Sequence, residues 1–193
     1  RSGQGPFAFL GSLVGPIPFR QARHYRPGRA RSIGLIVLHS AESSEKPDTA
    51  ENIAAWFASS RSPVASAHYI VDSDSVVQCV LDGDVAYGAP GANARGLQIE
   101  HAGRAAQRAS DWGDEYSRAT LERSAELVSG LCHRYSIPVV FLGPQELQAS
   151  HDGITTHAAV SEAFGESDHW DPGPEFPMGW YLERVARYAK EAS

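Results

Sequence analysis

Hydrophobic and polar positions along this chain switch between two periods, and the switches predict its elements. Residues 32–39 (SIGLIVLH) form a continuous apolar run of strand length. A run without polar alternation is the pattern of a central strand covered on both faces. It ends at His39, where Ser40 and Glu42 open a loop. Asp48, with Glu51 three residues on, resembles a capping box. Ile53, Trp56 and Phe57 follow at helical spacing, and that helix should stop near Ser59, before Pro63. Residues 67–72 and 75–81 read as the two strands of a hairpin that turns at Ser73 and Asp74. Residues 82–95 are rich in Gly, Ala, Pro and Asn and predict a loop, and residues 97–101 (LQIEH) predict a further strand. From Ser117 a long helix fits, with Leu121, Ala125, Val128, Leu131 and Tyr135 as its apolar stripe. A short strand over 138–142, a helix over 156–164, a loop over 165–177 and a last amphipathic helix carrying Trp180, Tyr181, Val185 and Tyr188 complete the reading.

Interleaved strands and helices with one hairpin imply an α/β (α+β) fold, a central mixed β-sheet flanked by helices. Residues 1–31 predict an irregular N-terminal arm ahead of a single domain over 32–193. Within the arm, residues 7–18 are apolar but broken by Gly11, Gly15, Pro16 and Pro18, the pattern of an extended segment packed on the domain. Trp56 and Phe57 are expected in the core.

Bulk properties narrow the classes. At 193 residues, 42% hydrophobic and 21% charged, the chain suits one sizeable domain. No apolar run reaches the roughly 18 residues of a membrane span, so membrane insertion is not expected. The net charge of -6 counts against a nucleic-acid partner. A local exception is Arg20, Arg23, Arg26, Arg29 and Arg31, a basic loop around Pro27 and Gly28. It reads as a solvated arm or as a contact for an anionic partner. The two cysteines, Cys79 in a strand pattern and Cys132 in a helix pattern, predict free buried thiols.

The chain has no HExxH, no CxxC pair, no phosphate-binding glycine loop and no GxSxG elbow. What remains is a set of histidines and carboxylates at element boundaries. His39 closes an apolar strand, where open α/β sheets place ligands; it reads equally as a rim histidine. His157 begins a predicted helix, where a capping role is the plain alternative. Asp171 lies in the stiff turn HWDPGPEFP, which would aim a carboxylate or simply form an Asp-Pro turn. Glu100 is embedded among Leu97, Ile99 and Ala102, where an unpaired carboxylate has its pKa raised towards the range of a general base. Two imidazoles and a carboxylate with one open position form the catalytic zinc pattern, but spacing alone does not bring these four residues together.

Five segments, LIVLHSAE, SAHYIVDSDSVVQCV, NARGLQIEHAG, THAAVSEAF and DHWDPGPEFP, resemble in this order the zinc-dependent N-acetylmuramoyl-L-alanine amidases of phage endolysins, bacterial cell-wall amidases and peptidoglycan recognition proteins. The resemblance spans residues 32–188. It implies Zn2+ held by His39, His157 and Asp171, and Glu100 as general base. The family's oxyanion lysine falls on His169, which could serve as donor instead. A family tyrosine before the second block falls on Ala67, leaving His68 or Tyr69 as substitutes. Asn93 and Gly96 match the approach to the third block, and Tyr87 and Trp170 lie in loops suited to substrate contact. His151 is a second candidate beside His157, while His24, His101 and His133 are read as structural or exposed.

The resemblance implies hydrolysis of the bond between N-acetylmuramic acid and L-alanine in bacterial peptidoglycan. Non-catalytic binding by the same fold, or cleavage within the stem peptide, are the rival readings. An endolysin domain fits best, with a bacterial autolysin or recycling amidase next. It would act at the cell wall as a monomer, with a further wall-binding or catalytic domain outside this sequence. The absence of a visible signal peptide suits holin-assisted release.

Overall fold

A computed structural model describes residues 13–191, so residues 7–12 of the predicted apolar segment lie outside them. The strands are β1 Tyr25–Arg26, β2 Leu35–Ser40, β3 Tyr69–Val71, β4 Val76–Gln78, β5 Val85–Ala86, β6 Gly96–His101 and β7 Gly153–Thr156. The helices are α1 Thr49–Ala58, α2 Ala109–Trp112, α3 Glu115–Tyr135, α4 Pro144–Gln148, α5 His157–Phe164 and α6 Met178–Glu191.

Five strands form one sheet in the order β4-β3-β6-β2-β7. Only the β3–β4 hairpin is antiparallel; β3, β6, β2 and β7 run parallel. This is the expected mixed sheet. Every residue of β2 is buried, as its unbroken apolar run requires of a strand covered on both faces. One face carries the larger core, where Ile36, Leu38, Leu97 and Ile99 meet Leu121, Val128 and Leu131 of α3 and Tyr181 and Val185 of α6. The opposite face is covered by α1 near β3 and β4, and by α5 near β2.

Several predicted boundaries move. Asp48 precedes α1 but its side chain makes no cap bond. Thr49 instead bonds the Ser44 carbonyl, and the Asp72 carboxylate accepts from Ala50 N. Residues 138–142 give only a single bridge, Phe141 to Ile154. Pro138 has no N–H to donate, and Val140 and Phe141 keep 48% and 42% exposure, so burial does not pin them as a strand. β5, β7, α2 and α4 are elements that the pattern did not reveal; none exceeds five residues.

The basic arm is not wholly solvated. Residues 19–26 follow the outer edge of β4 and then β5. Arg29 turns inward, donating to the carbonyls of Asp82, Asn93, Ala94 and Gly96. Cys79 and Cys132 are free and buried, and burial pushes both thiols up to about 12. Among the described residues no helix is long and apolar enough to cross a membrane.

Candidate active site

The parallel strands end together, and chemistry gathers at their carboxyl edge as open α/β sheets dictate. His39 is the fifth residue of β2, and its partner in register on β6 is Glu100. β7 runs beside β2 and passes directly into α5, so His157 starts that helix at the same edge. Thr156 caps the helix by accepting from Ala159 N. The free N–H of Ala158 donates to the Asp171 carbonyl, which docks the last loop against the helix start. Gly173 completes that docking. Its φ is +94, and a Cβ there would collide with the Ala105 carbonyl.

His39, His157 and Asp171 thereby converge. His39 Nδ1 lies 3.1 Å from Asp171 Oδ2, and His157 Nδ1 lies 3.2 Å from Asp171 Oδ1. All three side chains are buried, and one potential ligand atom from each lies within 4.8 Å of the others. The imidazoles meet edge to face at 4.8 Å, and His169 stacks on His157 at 4.4 Å. The spatial meeting that sequence spacing left open is therefore present.

Electrostatics follow from the burial. Burial opposes charge on Asp171, but hydrogen bonds from His157 and His39 hold its carboxyl well below the usual carboxylate range. Burial likewise opposes charge on His39, but the Glu100 and Asp171 carboxylates outweigh it and raise the imidazole to about 9. His157 is lowered, chiefly by burial. Glu100 is raised to about 7 by burial, against the pull of His39. Its Oε2 is buried with no hydrogen-bond partner among the described residues. An unpaired carboxylate oxygen beside a nest of metal-competent groups is poised to take a proton.

These groups open on a groove of about 760 Å³. Trp56, Val64 and Tyr87 line its walls, with Glu100, His157 and His169 within it. Trp56 therefore departs from its expected place in the core: it is 47% exposed in the groove, whereas Phe57 is buried as expected.

A family model described as N-acetylmuramoyl-L-alanine amidase matches residues 29–174. The chain belongs to the N-acetylmuramoyl-L-alanine amidase family. No curated protein matches it at the level of sequence. Solved structures share the amidase fold. The Staphylococcus aureus hydrolase AmiA, solved in complex with its ligand, aligns with a TM-score of 0.67 at 17% identity, covering 93% of this chain and 86% of that one. A mutant endolysin from Bacillus subtilis gives 0.61 at 14%, covering 89% and 99%. The N-acetylmuramoyl-L-alanine amidase LysC from Clostridium intestinale URNW gives 0.59 at 16%, covering 90% and 99%.

Within this amidase, the substrate contacts expected from sequence divide. Tyr87 and His169 face the groove. His68 and Tyr69 cannot touch a substrate. His68 is fully buried against Arg29, and burial and that cation push its imidazole down to about 3. Tyr69 is 2% exposed and donates to the buried Asp82 carboxylate. Asn93 shapes the backbone, its Oδ1 accepting from Gly88 N and Ala89 N. Trp170 is exposed but lies outside the groove lining. His151 is exposed and does not join the cluster. Sequence reasoning missed two neighbours of the imidazoles. Gln98 Oε1 lies 2.8 Å from His39 Nε2, and Ser167 Oγ lies 3.3 Å from His157 Nε2. Gln98 had a signal in its place between Leu97 and Ile99 in a buried strand; Ser167, in a polar loop, had none.

Proposed function

We propose that this amidase hydrolyses the bond between N-acetylmuramic acid and the L-alanine of the stem peptide, using zinc held by His39, His157 and Asp171. The observation that carries the reading is the buried His39–Asp171–His157 cluster beside the unpartnered Glu100 oxygen, in an open groove. Two nitrogens and one carboxylate oxygen are the donor set of a catalytic zinc site. The charge balance also fits, because the Asp171 carboxylate lies among the donors and the Glu100 carboxylate is near enough to favour positive charge at His39. When bound, zinc would polarise the scissile carbonyl and acidify the attacking water.

The chain supplies the rest. Glu100 accepts the proton of the attacking water and passes it to the departing alanine nitrogen, a shuttle suited to a carboxyl held near 7. His169, stacked on His157 at the groove, donates an N–H to the oxyanion that develops on the lactyl carbonyl. Tyr87 and Trp56 flank the groove and contact the glycan or peptide. The products are the glycan strand and a free stem peptide, released at the bacterial cell wall. Endolysins among the solved relatives favour a phage lysin; a bacterial autolysin is the alternative, favoured by the likeness to AmiA.

Purified sacculi separate the possibilities. Digestion should release peptides whose new amine belongs to the first alanine, read by mass spectrometry, and chelator should stop it. A new amine elsewhere in the stem would make the enzyme a peptidase. Binding to sacculi without release would make it a recognition module.

A further inference from the structure

Gln98 occupies a place that stability alone does not explain. It precedes Glu100 by two residues on β6 and is fully buried. Its Oε1 lies 2.8 Å from His39 Nε2, while its own amide nitrogen is buried with no partner among the described residues. A buried donor left unpaired is destabilising, and native structures keep few of them. The surroundings nevertheless hold this side chain in place. The Gln98 backbone N–H donates to His68 Nδ1 at 2.9 Å. Gly88 and Gly96 leave it room: a Cβ on either would fall 2.8 Å from the nearest atom of the Gln98 side chain.

An amide oxygen can only accept a hydrogen bond. The Gln98 contact therefore needs a proton on His39 Nε2, so that a metal would take Nδ1, in place of the proton this nitrogen shares with Asp171. The other imidazole is held differently. His157 Nε2 meets Ser167 Oγ, which lies 2.7 Å from Ser161 Oγ, and a hydroxyl can turn to donate or accept. Of the two imidazoles, only His39 has, on the ring nitrogen turned away from Asp171, an acceptor that cannot also donate. We infer that Gln98 is a positioning residue that locks His39 with its proton on Nε2 and so presents Nδ1 to the metal. This rests on the zinc reading above. Outer partners of this kind change metal affinity more than they change the fold.

The test measures zinc affinity by competition with a chromophoric chelator, together with the thermal melt of the metal-free protein. Q98L should bind zinc about 10- to 100-fold more weakly. Its metal-free melting temperature should equal or exceed that of the parent, because the unpaired amide is gone. Q98E keeps an acceptor oxygen and should bind within a few-fold of the parent. A structural role would give the reverse pattern, a lowered melt with unchanged affinity. Nitrogen-15 spectra of the zinc-loaded parent, which need no variant to fold, should identify Nδ1 of His39 as the ligand. Ligation through Nε2, or a folded Q98L that binds zinc as tightly as the parent, overturns the inference and leaves the zinc reading intact. A parent that binds no zinc removes both.

Discussion

As the proposed base, Glu100 would set the pH behaviour of the whole enzyme. Burial raises its pKa to about 7, so the protonated form gains population in neutral and acidic solution. A base works only when deprotonated, hence kcat/KM should fall as pH drops through that region. A bound cation favours the carboxylate and moves the limb to lower pH. E100Q should lose at least about 100-fold in kcat, the usual contribution of general base catalysis, while still binding zinc. Sacculus digestion across pH, with zinc analysis of the variant, checks both statements; full activity in E100Q removes the residue from the mechanism. The three proposed ligands invite a companion measurement. Zinc at 100 times its dissociation constant should stabilise the fold by about 2.7 kcal/mol, seen as a chelator-reversible rise in melting temperature that D171A lacks. Of the proposed site, His39 stood out in the sequence by closing an apolar run, Glu100 by lying inside one, His157 by opening a predicted helix and Asp171 by its stiff turn, and the family resemblance singled the four out together. Their convergence was not legible there, since it depends on strand order, and β7 leaves a trace of only four residues.

Elements far apart in sequence meet behind the site through one buried relay. His101, at the end of β6, lies 2.7 Å from the His39 carbonyl by Nδ1 and 2.7 Å from Ser124 Oγ of α3 by Nε2. Ser124 Oγ lies 2.7 Å from the Tyr181 hydroxyl of α6. Burial pushes the His101 imidazole down to about 4, consistent with a neutral ring bridging a carbonyl and a hydroxyl. The chain thus ties both covering helices to the backbone of His39. S124A leaves two buried polar groups without their shared partner and should cost about 1–3 kcal/mol in urea denaturation. At the start of α3, Asp114 accepts from Ser117 N at 2.8 Å, and D114A should cost about 1 kcal/mol with no effect on zinc affinity. Helical periodicity disclosed α3 and α6 because each buries one stripe over many turns. It did not disclose the relay: Ser124 and His101 are polar residues inside apolar stripes, and nothing in the spacing assigns their partners.

At the scale of the molecule, the N-terminal arm separates two kinds of positive charge that look alike in sequence. Arg29 and Arg31 stand two residues apart in the same basic run. Arg31 is exposed, whereas the Arg29 guanidinium reaches the carbonyls of Asp82 before β5, of Asn93 and Ala94 before β6 and of Gly96 at the start of β6, and lies 2.7 Å from His68 Nε2. His68 in turn receives the Gln98 N–H, so the arm supports the strand that carries Gln98 and Glu100. Removing Arg29 strands several partly buried acceptors at once, which ordinary surface substitutions do not. R29A should therefore lower stability by about 2–4 kcal/mol, and R31A should stay within about 0.5 kcal/mol of the parent. Chemical denaturation of the two variants compares equal losses of formal charge. Equal destabilisation by both would mean that net charge governs, and near-neutral behaviour of R29A would show that water replaces the guanidinium without cost. If R29A alone is weakened and its sacculus digestion fails at a lower temperature than the parent's, the arm is an anchor of the catalytic sheet, fastened where composition suggested only a solvated basic loop.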